Sequence, residues 1–270
     1  MAKRKYAVSY NPILEYWKKI EQGEIPVSSK IRRWYQYLAD RVHNPTKQMA
    51  YNAARANHII EFAENFCCPS AGDGKPVVLE LWEKAHLAAV FGFVNEHGYR
   101  TCHESLFIVG KKNGKSLLAS VVGLYMLIGD GEKRPEVYSA ATKRDQAKII
   151  WQESKRMIKK SGVLSKRLKC RIGDISSEEF NNGVFKPLAS DSDSLDGMNI
   201  HCALMDEIHQ WKNGKALYDI LADGVSARNQ PLIYITSTAG TIREDIYDAK
   251  YEEAAHIVNG LFDDNGYKDI

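Results

Sequence analysis

LFIVGKKNGKSLL, residues 106–118, decides how the rest of this chain is read. Leu106 to Val109 form a short apolar run that predicts a buried strand. Gly110-Lys111-Lys112-Asn113-Gly114-Lys115-Ser116 follows, and then an apolar run from Leu117 and Leu118 through Val121 to Leu127 that predicts a helix. Strand, glycine-bracketed loop and helix is the context a phosphate-binding loop requires. The backbone N–H groups of Gly110, Lys112, Asn113, Gly114 and Leu117 and the positive helix N-terminus would face an anion, Lys115 would reach its outer phosphates, and Ser116 would ligate Mg²⁺. The regular spacing, GxxxxGK[ST], would put a glycine at 109, where this chain has Val109 and then Gly110. Gly-Lys-Ser alone recurs by chance, so the competing reading is a solvated, lysine-rich turn.

Two downstream runs weigh against that turn. Ile200-His201-Cys202-Ala203-Leu204-Met205-Asp206-Glu207 is an apolar strand ending in two acids, and Leu232 to Ile235 is another, ending in Thr236-Ser237-Thr238-Ala239-Gly240. Strands separated by helices predict a mostly parallel sheet, whose ligands sit at the C-terminal strand ends. All three polar clusters would meet there. Phosphoryl transfer to water needs charge neutralisation and an oriented nucleophile. Lys115 would hold the phosphates, Ser116 and Asp206 the metal, and Glu207 the attacking water. Asp206-Glu207 could instead be an acidic pair at a helix N-terminus.

At 270 residues, with 44% hydrophobic and 26% charged residues, the chain has ordinary globular composition. No apolar run approaches the roughly 18 residues that a membrane span needs, and MAKRKYAVSYN at the N-terminus lacks an apolar signal core, so we expect no membrane association and a cytoplasmic setting. The five cysteines show no metal spacing and read as reduced thiols. Residues 1–60 hold 11 Lys/Arg against 4 Asp/Glu, and residues 143–171 hold 11 against 2. Two such basic segments on a chain of net charge +3 point to a polyanion, unless they are simply solvated helix faces.

Helical periodicity covers 11–66, with Gly23 and Pro26 dividing the first two helices and a third over about 47–66. Val77 to Leu81 reads as a short strand and Trp82 to Val94 as a helix. Thr142 is placed to cap a helix over 143–161, Asn182-Gly183 to turn a hairpin, and 190–197 to form a polar loop.

Taken together, GKKNGKS (110–116), LDGMNIHCALMDEIHQW (195–211) and QPLIYITSTAGT (230–241) resemble the N-terminal ATPase domain of tailed-phage terminase large subunits. The resemblance implies an α/β P-loop NTPase of the ASCE/RecA-like kind, a mostly parallel sheet flanked by helices with an N-terminal helical extension. Its parts would be an extension at 1–66, the ATPase domain at 67–260 and an acidic tail at 261–270, without the family's nuclease domain and therefore without DNA cutting. It implies ATP and Mg²⁺ as cofactors, with Lys115, Ser116, Asp206 and Glu207 as the hydrolytic set. Thr236, Ser237 and Thr238 would form the coupling motif that senses the γ-phosphate. Lys111 stands where many members place a catalytic arginine. Asp196 occupies the place of an arginine supplied to the neighbouring subunit, which makes Arg228 the substitute candidate. Trp82-Glu83 stands where the adenine-contacting segment has Trp-Gln. The implied function is ATP hydrolysis that drives double-stranded viral DNA into a procapsid, in the host cytoplasm. The implied partners are DNA, the phage portal protein, the terminase small subunit and further copies of the chain in a ring, with a monomer in isolation. Two rivals are a DExH-type helicase fragment, since Asp206-Glu207-Ile208-His209 spells DEIH, and a non-catalytic basic phosphate-binding module.

Overall fold

The structure is a computed structural model that describes residues 4–71, 73–178, 182–189, 197–240 and 245–260. The expected acidic tail at 261–270, Asp196 and most of the polar loop at 190–197 lie outside the described residues. The chain forms two compact units, one from Met1–Asn65, Val78–His103 and Glu252–Ile270, the other from Phe66–Val77 and Glu104–Tyr251.

The first unit contains α1 (Pro12–Glu21), α2 (Ser29–His43), β1 (Ala50–Tyr51), α3 (Ala53–Phe66), α4 (Leu81–Phe91) and β2 (Phe93–Val94). Local chemistry sets the starts of the first two helices. Asn11 accepts from the N–H groups of Ile13 and Leu14 ahead of Pro12, and Ser28 accepts from Ile31 N. Helix α3 begins later than its periodicity predicts, because Ala50–Tyr51 instead pairs antiparallel with Phe93–Val94. No strand forms at Val77–Leu81; Glu80 and Glu83 build a capping box there and Leu81 opens α4. Ile13, Ile20, Leu38, Ala56, Ala85 and Phe93 share one core, so α4 belongs with the N-terminal helices although the expected boundary fell at residue 66.

The second unit is built on a seven-stranded sheet. Its elements are β3 (Glu104–Ile108), α5 (Lys115–Ile128), β4 (Glu136–Ala141), α6 (Arg144–Lys160), α7 (Leu164–Arg167), β5 (Lys169–Cys170), β6 (Ile175–Ser177), β7 (Gly183–Ala189), β8 (Cys202–Asp206), α8 (Gly214–Val225), β9 (Leu232–Ser237) and the start of α9 (Ile246–Asn259), whose residues from Glu252 on belong to the first unit. The strand order is β3-β9-β8-β4-β7-β6-β5. The first five strands are parallel, and β6 and β5 extend the sheet as antiparallel edge strands. Between β3 and β4 the chain crosses two positions that β9 and β8 later fill, which opens a crevice at the C-terminal ends of β3, β9 and β8.

Helix α5 makes this crossover and is buried from Leu118 to Leu127. It lies close on the sheet because Gly123 has no side chain; a Cβ there would sit 2.7 Å from Leu204 Cδ1 and 3.0 Å from Phe185 Cε1. Helix α6 starts at Arg144 with Lys143 at its cap position and no side-chain cap bond, so Thr142 is not its cap. Asn182 turns with a φ of 53°, while Gly183 already pairs with Ser177 in the ladder. Strand β9 runs two residues past the expected Ile235, since Thr236 pairs with Phe107 and Ser237 with Ile108. Among the described residues no helix is long and apolar enough to cross a membrane.

Candidate active site

The loop after β3 folds as its glycines and Asn113 require. Val109 N–H donates to Ser237 O at 3.1 Å, tying the loop entrance to β9. Asn113 Nδ2 donates to Gly110 O at 3.2 Å and closes the turn, while Lys112 and Gly114 take left-handed φ values of 66° and 72°. Gly114 is the N-cap of α5 and no side chain caps that end, so the first-turn N–H groups are left to an anion. Lys111 and Lys112 are exposed on the loop, and Leu117 is half-buried in the first turn.

Across the crevice, Asp206 ends β8 in a buried position. Its Oδ2 accepts from Ser116 Oγ at 3.0 Å and its Oδ1 from Thr236 Oγ1 at 2.7 Å, while Trp211 Nε1 donates to its carbonyl at 3.0 Å. Burial raises the Asp206 pKa above its ordinary value. The Glu207 charge adds to this, and the two hydroxyl donors and Lys115 oppose it. A hydroxyl and a carboxylate held together, with an ammonium nearby, are the hard oxygen donors that suit a phosphate-bound Mg²⁺. Ser116 and Asp206, expected from the sequence to share a metal, are thus brought together.

Glu207 leaves the strand at φ 52° and ψ 45°. A left-handed glutamate costs of order 1–3 kcal/mol and persists where its surroundings fix it. Here Glu207 N–H donates to Thr236 O and Glu207 O accepts from Gln210 N–H, each at 2.8 Å. The turn directs the carboxylate toward the phosphate loop, where Oε1 lies 2.6 Å from Lys115 Nζ. Oε2 is within reach of Thr238 N and Oγ1, at 3.3 and 3.4 Å, and of His209 Nδ1 at 3.1 Å. Ser237 is buried and its Oγ lies 3.0 Å from His209 Nδ1. Lys115, Ser116, Asp206, Glu207, Thr236, Ser237 and Thr238 thus meet at one sheet edge.

A sequence model of the family described as "Terminase large subunit, ATPase domain" matches residues 81–256, well over half of the chain. The chain belongs to that family. It also resembles the HK97 bacteriophage large terminase, with a TM-score of 0.65 and 22% identity over 74% of this chain and 41% of that one, a likeness that speaks for the fold. The protein YmfN of Escherichia coli (strain K12) is 41% identical over 66 residues, 24% of this chain and 14% of YmfN. The chain therefore spans less than half the length of either relative. Membership of the terminase ATPase family sets aside the helicase reading of DEIH.

One expected residue does not join this site. Arg228 lies ahead of β9, at the opposite end of the sheet. Its guanidinium is held by Glu132 Oε1 and by the carbonyls of Lys133, Arg134 and Asn199 at 2.9–3.2 Å. With its side chain only 9% exposed, it is a clamp on the loop before β4, not an arginine presented to a neighbour. Trp82 is on α4 in the helical unit, half-buried against that unit's core. Sequence reasoning missed His209. The signal was present as the last letter of DEIH, but nothing in the linear spacing tied it to Ser237 and Thr238.

Proposed function

We propose that this terminase domain hydrolyses ATP with Mg²⁺ and uses the reaction to drive double-stranded DNA into a phage procapsid. It would work in the host cytoplasm, as a homo-oligomeric ring with the portal protein and the terminase small subunit. The observation that carries the reading is the convergence of Lys115-Ser116 and Asp206-Glu207, two stretches far apart in the chain, with Lys115 against Glu207 and Ser116 against Asp206.

In this reading the first-turn amides of α5 and the Lys115 ammonium bind the outer phosphates, and exposed Lys111 adds a second cation beside them. Ser116 Oγ and the Asp206 carboxylate hold the metal, which when bound neutralises charge on the phosphate oxygens. Lys115 leaves Glu207 for the phosphates, which frees Oε1 to orient a water and accept its proton. Thr236 and Ser237 at the end of β9 and Thr238 just after it lie beside the acids and couple the state of the phosphate end to the rest of the sheet. Trp82 stays the candidate for the adenine contact.

Steady-state ATP hydrolysis by wild type and Glu207→Gln, at rising protein concentration with and without duplex DNA, tests the reading. A residue supplied by a neighbouring subunit is worth ~10³–10⁵ in rate, so wild-type turnover per chain should climb with concentration. Loss of the base should cost about 10²–10⁴ while nucleotide still binds. Equal turnover by both proteins would remove Glu207 from its role, and turnover by neither would leave a phosphate-binding fold without a motor.

A further inference from the structure

His209 lies two residues beyond Glu207, in the short 3₁₀ segment Ile208–Gln210. Its Nδ1 is 3.1 Å from Glu207 Oε2 and 3.0 Å from Ser237 Oγ. The Ser237 hydroxyl donates to Thr238 O at 3.0 Å, so both neighbours of Nδ1 are acceptors. On the other side of the ring, Gln146 Nε2 donates to Gln210 Oε1 at 2.9 Å, which turns the Gln210 NH₂ toward His209 Nε2 at 3.3 Å. Thr238 Oγ1 lies 3.4 Å from the same nitrogen and its hydroxyl can donate there too. With Gln210 donating to it, Nε2 is the acceptor and Nδ1 the donor.

Packing holds the ring in this place. Tyr247 meets it edge-on, with centroids 6.4 Å apart. Gly240 passes so close that a Cβ there would lie 2.6 Å from His209 Cβ, near the root of the side chain, where it cannot swing aside. The imidazole is thus wedged between the end of β9 and the start of α9, and it aims one N–H at the carboxylate that the mechanism needs.

We infer that His209 is a positioning residue for hydrolysis: it holds Oε2 of Glu207 so that Oε1 points at the attacking water once Lys115 has moved to the phosphates. This role rests on Glu207 being the base. In this structure Lys115 restrains Oε1, and Thr238 and His209 restrain Oε2. When Lys115 goes, the Oε2 partners are what still fix the direction of the carboxylate among the described residues. The Glu207 backbone stays tied to Thr236 and Gln210, but its side chain can still rotate, so losing one of those partners lets the carboxylate turn. Through Gln210 and Gln146 the same ring is connected to the first turn of α6.

The test uses the full chain and two independent readouts. Histidine-selective nitrogen NMR, assigned with His209→Asn, reports which ring nitrogen carries the proton; Nδ1–H is expected, and an Nε2–H tautomer would overturn the inference. Hydrolysis and binding of a fluorescent ATP analogue are then compared for wild type, Glu207→Gln, His209→Ala, His209→Asn and Gly240→Ala. His209→Ala and Gly240→Ala should each lower kcat about 10- to 100-fold, as small misplacements of reacting groups do, with the Kd for the analogue held within about twofold. Asn keeps a donor at the Nδ1 position and should recover most of the rate. Should His209→Ala fail to fold, His209→Asn set against Gly240→Ala carries the same contrast. Wild-type kcat in His209→Ala or Gly240→Ala beside an inactive Glu207→Gln would sink this inference alone. Wild-type turnover in Glu207→Gln would sink the parent reading and this one with it.

Discussion

Asp206 carries opposed demands on a single carboxyl. The metal role proposed for it needs it ionised, yet desolvation at the end of β8 favours its neutral form and raises its pKa, with the Glu207 charge adding and the Thr236 and Ser116 hydroxyls and Lys115 subtracting. A folded pKa above the unfolded value means that the stabilising neutral form is present in full below the unfolded pKa. That stability is lost as pH rises through the folded one. Asp206→Asn should therefore melt at a higher temperature than wild type at neutral pH, and the gap should close as the buffer is taken into the acid range. It should also lose ATP turnover. A neutral-pH melting temperature no higher than wild type would mean that Ser116, Thr236 and Lys115 already offset the cost of the charge. Asp206 and Glu207 were legible as a pair because an apolar run ending in acids is a local pattern. The left-handed backbone of Glu207, which sends the two carboxyls to different partners, has no local signature and arises from bonds to Thr236 and Gln210.

Among the elements, the loop from Gly129 to Pro135 and the strand starts it faces show how one arginine can be misjudged from sequence. Arg228 joins Glu132, Lys133, Arg134 and Asn199, and beside it His201 Nε2 lies 2.9 Å from Asp130 Oδ2 at the base of the sheet. Arg228→Ala should leave several acceptors unsatisfied and cost about 1–3 kcal/mol. For a domain of this size each kcal/mol lowers Tm by about 2–4 °C. ATP turnover per folded chain should be unchanged, at low and high protein concentration alike. An unaltered Tm together with lost concentration-dependent turnover would instead return Arg228 to the interface between subunits. Helix α4 gives the complementary case. Its helical run from Trp82 is evident in the sequence, though the capping box at Glu80 and Glu83 is not, and apolarity does not say which core the helix enters; it enters the core of α1 and α2.

For the molecule as a whole, the partner to be tested is DNA. Of the eleven cations in 143–171, several already serve the fold: Lys155 donates to Arg171 O, Lys160 to the carbonyls of Pro69 and Ser70, and Arg156, Lys169 and Arg171 pair with Glu153, Glu178 and Asp174. Duplex binding should be tolerant of sequence and should weaken steeply with salt, with a log–log slope smaller in magnitude than the ~10 that eleven phosphate contacts would give. Affinity measured by fluorescence anisotropy across a several-fold salt range checks this. A flat response would take these lysines away from the DNA.

The sequence by itself determined the strand–loop–helix of the phosphate site, the acid pair after β8, the polar end of β9 and hence the parallel α/β architecture, because each is written in consecutive residues or in short periodic patterns. The tertiary structure decided the rest. It set β9 and β8 between β3 and β4, and it drew α4 to the helical unit. It also buried Arg228 in a loop clamp and brought His209 against Glu207 and Ser237. These outcomes depend on contacts between residues far apart in the chain, whose energies come from shared burial and from hydrogen bonds closed only on folding. No local run of residues encodes them.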